Sequence, residues 1–213
     1  MAKVTIPKYS LGEEIINSIT HGIGALMFIP FTIMLIIKTN TMAGVITSLV
    51  FGFFAILLYV CSCIYHALSP RITGKKVLRV IDHCNVLLMV AGTYTPICIC
   101  LFKGTLGWIL FSIIWIITIF AVTLTAINLE KFNWLSAVSN LIVGWGSLFL
   151  IKVLYNLVGA SGLFFLITGG VLYSIGAILY ALGKKKKYMH SVFHVFVLVA
   201  SIFHFLFIYL YCI

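Results

Sequence analysis

Seven long apolar runs, separated by short polar gaps, make up most of the chain. A helix that crosses a bilayer core about 30 Å thick needs roughly 20 apolar residues. Runs close to or above that length occupy residues 19–37, 43–65, 81–101, 106–124, 134–151, 163–182 and 189–213. The pattern therefore predicts an all-α, polytopic membrane protein in which residues 1–213 form one domain, a seven-transmembrane helix bundle. Residues 11–18 are predicted to form a separate short helix at the membrane interface.

Lysine and arginine residues are distributed unevenly between the two sides of these spans. Eleven of the fourteen lie on the amino-terminal side, and only Lys38, Lys103 and Lys152 lie on the other. Because short cytoplasmic loops are enriched in these residues, the amino terminus is predicted to be cytoplasmic and the carboxyl terminus to lie outside. The basic run at residues 184–187 is interpreted as an orientation signal rather than a site for anionic headgroups.

Composition supports the membrane interpretation. Hydrophobic residues make up 63% of the chain and charged residues only 8%, whereas soluble domains have about a quarter of their residues charged. The net charge of +10 is explained by membrane topology, so no nucleic-acid partner is expected. Glu13 and Glu14 stand where a cleaved signal would carry basic residues, so the first span is expected to be retained. The cysteines are interpreted as small buried thiols rather than a disulfide framework.

Four ionisable residues, far apart in sequence, are predicted to share one depth just inside the inner leaflet. His66 closes the second span, Asp82 opens the third, and His190 and His194 open the seventh. Ionisable groups within spans are costly and usually functional. His190 and His194 are four residues apart and therefore lie on one helical face, at the spacing with which two imidazoles bind one metal ion.

Three imidazoles are predicted to form a zinc site of the catalytic class. Such sites leave one position open for a water molecule, and zinc lowers the pKa of that water to roughly 7. Asp82 is then placed to accept a hydrogen bond from the water and to position it or take its proton. Ser62 lies one turn before His66 and is predicted to orient a ligand or the water.

Each of these residues also has an alternative interpretation when taken alone. His66 and His83 are also explained as interfacial histidines, and His190 as a residue among the headgroups. Asp82 is also explained as a helix cap or as the partner of Arg79. The shared depth of three histidines and one carboxylate favours the metal site over these alternatives.

The remaining histidines are assigned outside the predicted metal site. His21 and Asn17 lie four residues apart near the cytoplasmic end of the first span, where they line the mouth of a cavity, cap the helix or anchor it at the interface. His204 is fourteen residues beyond His190, or about 21 Å along a helix. It is therefore predicted to pack against, or hydrogen-bond to, another span.

Several segments together resemble the hemolysin III family, bacterial relatives of the progestin and adipoQ receptors and, more distantly, of alkaline ceramidases. These segments are residues 17–24 (NSITHGIG), 62–66 (SCIYH), 81–85 (IDHCN), 91–96 (AGTYTP) and 190–194 (HSVFH). The resemblance implies a seven-helix bundle with a cytoplasmic amino terminus. It also implies zinc bound by His66, His190 and His194, with Asp82 holding a water and Ser62 nearby.

Three functions are compatible with these features in a multi-pass protein of the bacterial plasma membrane. The preferred hypothesis is a zinc-dependent hydrolase of lipid amide or ester bonds, ceramidase-like and involved in membrane-lipid homeostasis, whose substrate enters from the bilayer. The alternatives are a membrane-damaging hemolysin or pore former, acting by cytolysis, and a lipid sensor or receptor with structural zinc. Membrane lipids are the expected partners, and the short outer loops argue against a large extracellular protein ligand.

Overall fold

The computed structural model describes residues 4–183 and 186–213, and all regular structure within those residues is helical. Lys184 and Lys185 of the predicted orientation signal therefore lie outside the described residues. The helices are α1 Leu11–Lys38, α2 Met42–Ala67, α3 Gly74–Pro96, α4 Gly104–Ile127, α5 Leu129–Gly146, α6 Ile151–Gly183 and α7 Met189–Phe207. Two π-helical segments, Ile97–Phe102 and Ile208–Cys212, extend α3 and α7. A short 3₁₀-helix, Ser147–Leu150, joins α5 to α6.

Six helical segments of the described chain are long and apolar enough to cross a membrane. This confirms the prediction of an all-α, polytopic membrane protein. The fifth segment, Leu129–Gly183, has 55 residues, which as a straight helix would measure about 80 Å, far more than a bilayer core. It is broken inside α6 at Gly159, whose backbone (φ 64°, ψ −172°) lies in a region that is essentially restricted to glycine.

The first helix is one continuous element rather than an interfacial helix followed by a span. α1 begins at Leu11, and the Ser10 hydroxyl accepts a hydrogen bond from the Glu13 backbone N–H. The Glu13 carboxylate in turn accepts from the Ser10 N–H at 2.9 Å, which completes a capping box. Such reciprocal bonds satisfy amides that a helix start leaves unpaired. The prediction of a separate helix over residues 11–18 is therefore wrong, and Glu13 and Glu14 belong to the membrane-length helix.

Close helix packing holds α1, α2 and α7 around the centre of the bundle. Gly24 of α1 faces the Tyr59 ring of α2, and a Cβ atom at Gly24 would lie 2.6 Å from that ring. The Tyr59 hydroxyl donates to Ser201 of α7 at 2.7 Å, and the hydroxyls of Tyr173 and Ser201 are 2.6 Å apart. Hydrogen bonds between spans stabilise a bundle because lipid offers no substitute partner.

Polar and apolar side chains are arranged as a bilayer requires. Large hydrophobic side chains such as Leu26, Ile116 and Phe149 are exposed on the outside of the bundle, where lipid would cover them. Lys75 and the site histidines, in contrast, are buried. The outside of the bundle is therefore a lipid-facing surface, and these buried ionisable side chains face inward.

Candidate metal centre

Three histidines from two helices meet at one end of the bundle. His66 is the penultimate residue of α2, and His190 and His194 occupy the first two turns of α7. One ligand nitrogen from each imidazole lies within 4.8 Å of the others, and all three residues are buried. The structure thus brings together the three histidines that the sequence analysis selected as metal ligands.

The free nitrogen atoms of this group fit a metal ion. The Nε2 atoms of His190 and His194 are 3.1 Å apart, and two nitrogens bound to one tetrahedral zinc at 2.0–2.1 Å would be about 3.3 Å apart. Nitrogens that face each other in this way either share a hydrogen bond or bind a common cation. Within the described residues, Nε2 of His66 is buried without a hydrogen-bond partner, which is the state expected of a nitrogen reserved for a ligand.

Asp82 and Ser62 lie beside the three imidazoles but are not part of that group. Both side chains line the same cavity as His190 and His194 and are close enough to interact with each other. Asp82 also interacts electrostatically with His66. Asp82 lies next to the three-histidine group but does not belong to it, which is compatible with the predicted contact through water.

Asp82 does not open its helix, contrary to the sequence-based prediction. α3 begins at Gly74, so Asp82 lies about 12 Å further along the helix. The cap position is held by Thr73, which excludes the helix-cap interpretation of Asp82. Arg79 forms its ion pair with Glu130 of α5, at 3.2 Å.

Glu14 is a component of the site that the sequence analysis missed. Its Oε2 atom is 2.6 Å from Nδ1 of His66, and its Oε1 atom is 2.6 Å from Nζ of Lys75. The apolar-run criterion begins the first span at residue 19, which leaves this carboxylate outside the membrane helix. A signal was present, since Glu14, Asn17 and His21 are spaced by three and four residues and so share one face of a continuous helix.

His21 is deeply buried beside the three-histidine group and lines the same cavity as His190 and His194. Its ring stacks on His194 with centroids 3.7 Å apart and meets the Tyr59 ring edge-on at 5.1 Å. Asn17 is fully buried, and its Nδ2 atom is 3.4 Å from Nδ1 of His66. Interfacial anchoring, one of the alternatives for these two residues, is therefore wrong.

The amino-terminal segment, residues 4–10, covers one end of the three-histidine group. The Tyr9 ring stacks on His190 at 4.7 Å and lies 5.7 Å from the His66 ring. Thr5 donates to the Glu130 carboxylate through its backbone N–H at 3.0 Å and through its hydroxyl at 2.8 Å. Burial raises the pKa of the Tyr9 phenol well above its ordinary value, so Tyr9 remains neutral over the physiological pH range.

A long apolar cavity leads away from the three-histidine group. It has a volume of about 210 Å³ and is lined mainly by α3, α5, α6 and α7, with further residues from α1 and α2. Tyr9, Asp82 and His190 line one end, and His204 lines the cavity further along α7. Since His190 and His204 are about 21 Å apart along that helix, the cavity is long and narrow.

The two remaining histidines lie outside the three-histidine group. Nε2 of His204 is 3.3 Å from the Leu166 carbonyl of α6, and the ring packs against Tyr173 at 5.4 Å. This confirms the prediction that His204 contacts another span. His83 lines the cavity and meets the Tyr180 ring at 6.0 Å, so it is not simply an interfacial residue.

The fold and the site together define a multi-pass helical protein of the cell membrane with a buried three-histidine group. A family model described as "Haemolysin-III related" matches residues 9–205. The chain belongs to that family.

Two named bacterial proteins are similar to the chain along nearly its whole length. "Hemolysin-3" of Bacillus cereus is 37% identical over 203 residues, which cover 93% of this chain and 91% of the relative. "Hemolysin-3 homolog" of Bacillus subtilis (strain 168) is 35% identical over 208 residues, which cover 96% and 97%. The family assignment from sequence motifs is thereby confirmed.

Proposed function

We propose that the protein is a zinc-dependent intramembrane hydrolase that cleaves an amide or ester bond of a membrane lipid. One observation carries the proposal: three buried imidazoles and a neighbouring carboxylate lie at one end of a long apolar cavity. A metal group that served only to fix the fold would not need such a cavity beside it. Catalytic zinc sites also use three protein ligands, whereas structural sites normally use four.

Residues of the site can be assigned to metal binding, to activation of water and to exclusion of bulk water. His66, His190 and His194 would hold the zinc, which polarises a carbonyl and makes water acidic near neutral pH when bound. The Asp82 carboxylate would orient the attacking water and accept its proton, and Ser62 would hold that carboxylate in place. Tyr9 and the rest of residues 4–10 limit the access of bulk water from the cytoplasmic side.

The cavity suits the acyl chain of a lipid. Its lining beyond the metal group is mainly apolar and aromatic, with Met89, Ile97, Trp145 and Leu163 among the residues. An acyl chain in the cavity would place its carbonyl near the histidines, and it would only exchange one apolar environment for another, because the bilayer core is about as apolar as the cavity lining. We propose that this substrate enters laterally from the bilayer.

The proposed topology has seven spans. Gly159 would separate the fifth span from the sixth, because each arm of the 55-residue segment is by itself long enough to cross a bilayer. The amino terminus then lies in the cytoplasm and the carboxyl terminus outside. An epitope fused after Ile213 should bind antibody on intact protoplasts, whereas labelling only after permeabilisation would refute this orientation.

Metal removal tests the proposed hydrolysis. Purified protein is stripped of zinc with a chelator, reconstituted in vesicles of ceramide or phospholipid, and assayed for released fatty acid by mass spectrometry. Stripping should reduce fatty-acid release by at least about 100-fold, and added zinc should restore it, because outer-shell changes alone cost metal sites 10–100-fold in activity. Equal release with and without zinc would refute the proposal.

The same vesicles test the alternative favoured by the name of the Bacillus cereus relative. They are loaded with a dye before the protein is reconstituted. Dye release that does not depend on zinc or on lipid cleavage would favour membrane damage as the activity. Loss of thermal stability on stripping, without any lipid product, would favour a lipid sensor with structural zinc.

A further inference from the structure

We propose that Glu14, held by Lys75, is a positioning residue that fixes the tautomer and the orientation of His66 for metal binding. This inference rests on the metal site of the proposed function and not on any hydrolytic step. It assigns a role to a buried ion pair between α1 and α3 that the sequence analysis did not anticipate.

The contact between Glu14 and His66 determines which imidazole nitrogen carries the proton. An ionised carboxylate can only accept hydrogen bonds, so Nδ1 of His66 must donate across the 2.6 Å contact to Oε2 of Glu14. Nε2 then keeps its lone pair, and it is the buried nitrogen that has no partner within the described residues. Metal-bound histidines commonly donate their other ring N–H to a carboxylate, which fixes the ring and raises its basicity.

The side-chain amide of Asn17 also lies near Nδ1 of His66, but it does not change the assignment of the proton to Nδ1. Nδ2 of Asn17 is 3.4 Å from the same nitrogen of His66, and to donate there it would need the opposite tautomer. The carboxylate contact is 0.8 Å shorter, and hydrogen bonds to a charged group are the stronger ones. Glu14 therefore determines the tautomer, and Asn17 packs beside it.

Lys75 keeps Glu14 ionised and fixed in place. The lysine is fully buried, and its ammonium group donates to Oε1 of Glu14 at 2.6 Å and to the Leu68 carbonyl at 2.8 Å. Its two acceptors lie on α1 and on the residue that follows α2, so they aim the carboxylate at His66. The Tyr65 ring lies 5.1 Å from the ammonium group and adds a cation–π contact.

A purely structural role explains this arrangement less well. The Lys75 charge is fully removed from water and the Glu14 charge largely so, and a buried ion pair often contributes no more stability than well-packed apolar side chains. Here the second carboxylate oxygen is directed at a nitrogen of a candidate metal ligand. Orientation of that ligand gives the buried charges a function that packing alone does not.

The test compares zinc affinity among variants of the full chain in detergent or nanodiscs, measured by competition with a chromophoric chelator. Glu14→Gln keeps the shape of the side chain but removes its charge. We expect it to lower zinc affinity 10–100-fold and to shift the visible absorption bands of the cobalt-substituted protein. Glu13→Gln is the matched control, because Glu13 is a buried carboxylate in the same helical turn but bonds to Ser10 and the Tyr188 N–H.

A double variant separates positioning from stability. Glu14→Gln alone leaves the Lys75 charge buried without its partner, which destabilises the fold, so Glu14→Gln/Lys75→Met removes both charges. We expect the double variant to regain thermal stability but to keep the weakened zinc affinity and the shifted cobalt spectrum. Wild-type affinity and spectrum in either variant would overturn the inference while leaving the metal site intact. If the wild-type chain binds no zinc, the proposed function fails together with the inference.

Discussion

Replacing His190 or His194 with alanine is expected to remove nearly all bound zinc. Each imidazole supplies one of three nitrogens that lie within 4.8 Å of one another, so either change leaves only two protein ligands. Changes to residues that merely support a ligand cost 10–100-fold in affinity, and loss of a ligand should cost more than about 100-fold. Zinc per chain, measured by inductively coupled plasma mass spectrometry after gel filtration, should fall from about one to near zero.

His204→Ala is the matched control for this experiment. His204 lies on the same helix and contacts the Leu166 carbonyl and the Tyr173 ring, far from the three-histidine group. Its replacement should lower thermal stability, because it removes a hydrogen bond between spans, and it should leave the zinc content unchanged. Equal loss of zinc from all three variants would contradict the assignment of the ligands.

Asp82→Asn is expected to separate metal binding from hydrolysis. Asn has nearly the same size as Asp but cannot take a proton from water, and general-base catalysis typically contributes 10²–10⁴-fold to a rate. The variant should therefore keep about one zinc per chain while its release of fatty acid falls by roughly that factor. Both quantities are measured on the same preparation, so that loss of metal is not mistaken for loss of catalysis.

Two other results would change the interpretation of Asp82. Loss of zinc from Asp82→Asn would make the carboxylate a direct ligand, contrary to its position outside the three-histidine group. Unchanged hydrolysis with zinc retained would remove Asp82 from the reaction. The proposed hydrolase requires the combination of retained metal and reduced turnover.

The three histidines could be predicted because the sequence features that mark them are either local spacings or positions relative to the spans. His190 and His194 share a helix face by spacing alone, and the depth of His66 follows from counting spans and charges. The family resemblance pointed to the same residues. None of these inferences required knowledge of a side-chain contact between distant segments.

The support for the site could not be predicted in the same way. The contacts of Glu14 with His66 and Lys75 join residues 52 and 61 positions apart, and hydrophobic periodicity carries no information on such pairs. Glu14 was also placed outside the first span, because the apolar-run criterion begins that span at residue 19, whereas the capped helix α1 begins at Leu11. The sequence predicts a loop between the spans at residues 134–151 and 163–182. The break at Gly159 instead lies within a helical segment and depends on one backbone conformation.

The position of residues 4–10 bears on how the protein should be produced for study. Tyr9 rests on the His190 ring, so a hexahistidine sequence joined to the amino terminus would place six more imidazoles close to the candidate metal group. Those imidazoles would compete for zinc during purification and distort any measured stoichiometry. The 24-residue segment Met189–Cys212 places the carboxyl terminus about 35 Å away along the bundle, where an affinity sequence would leave the site undisturbed.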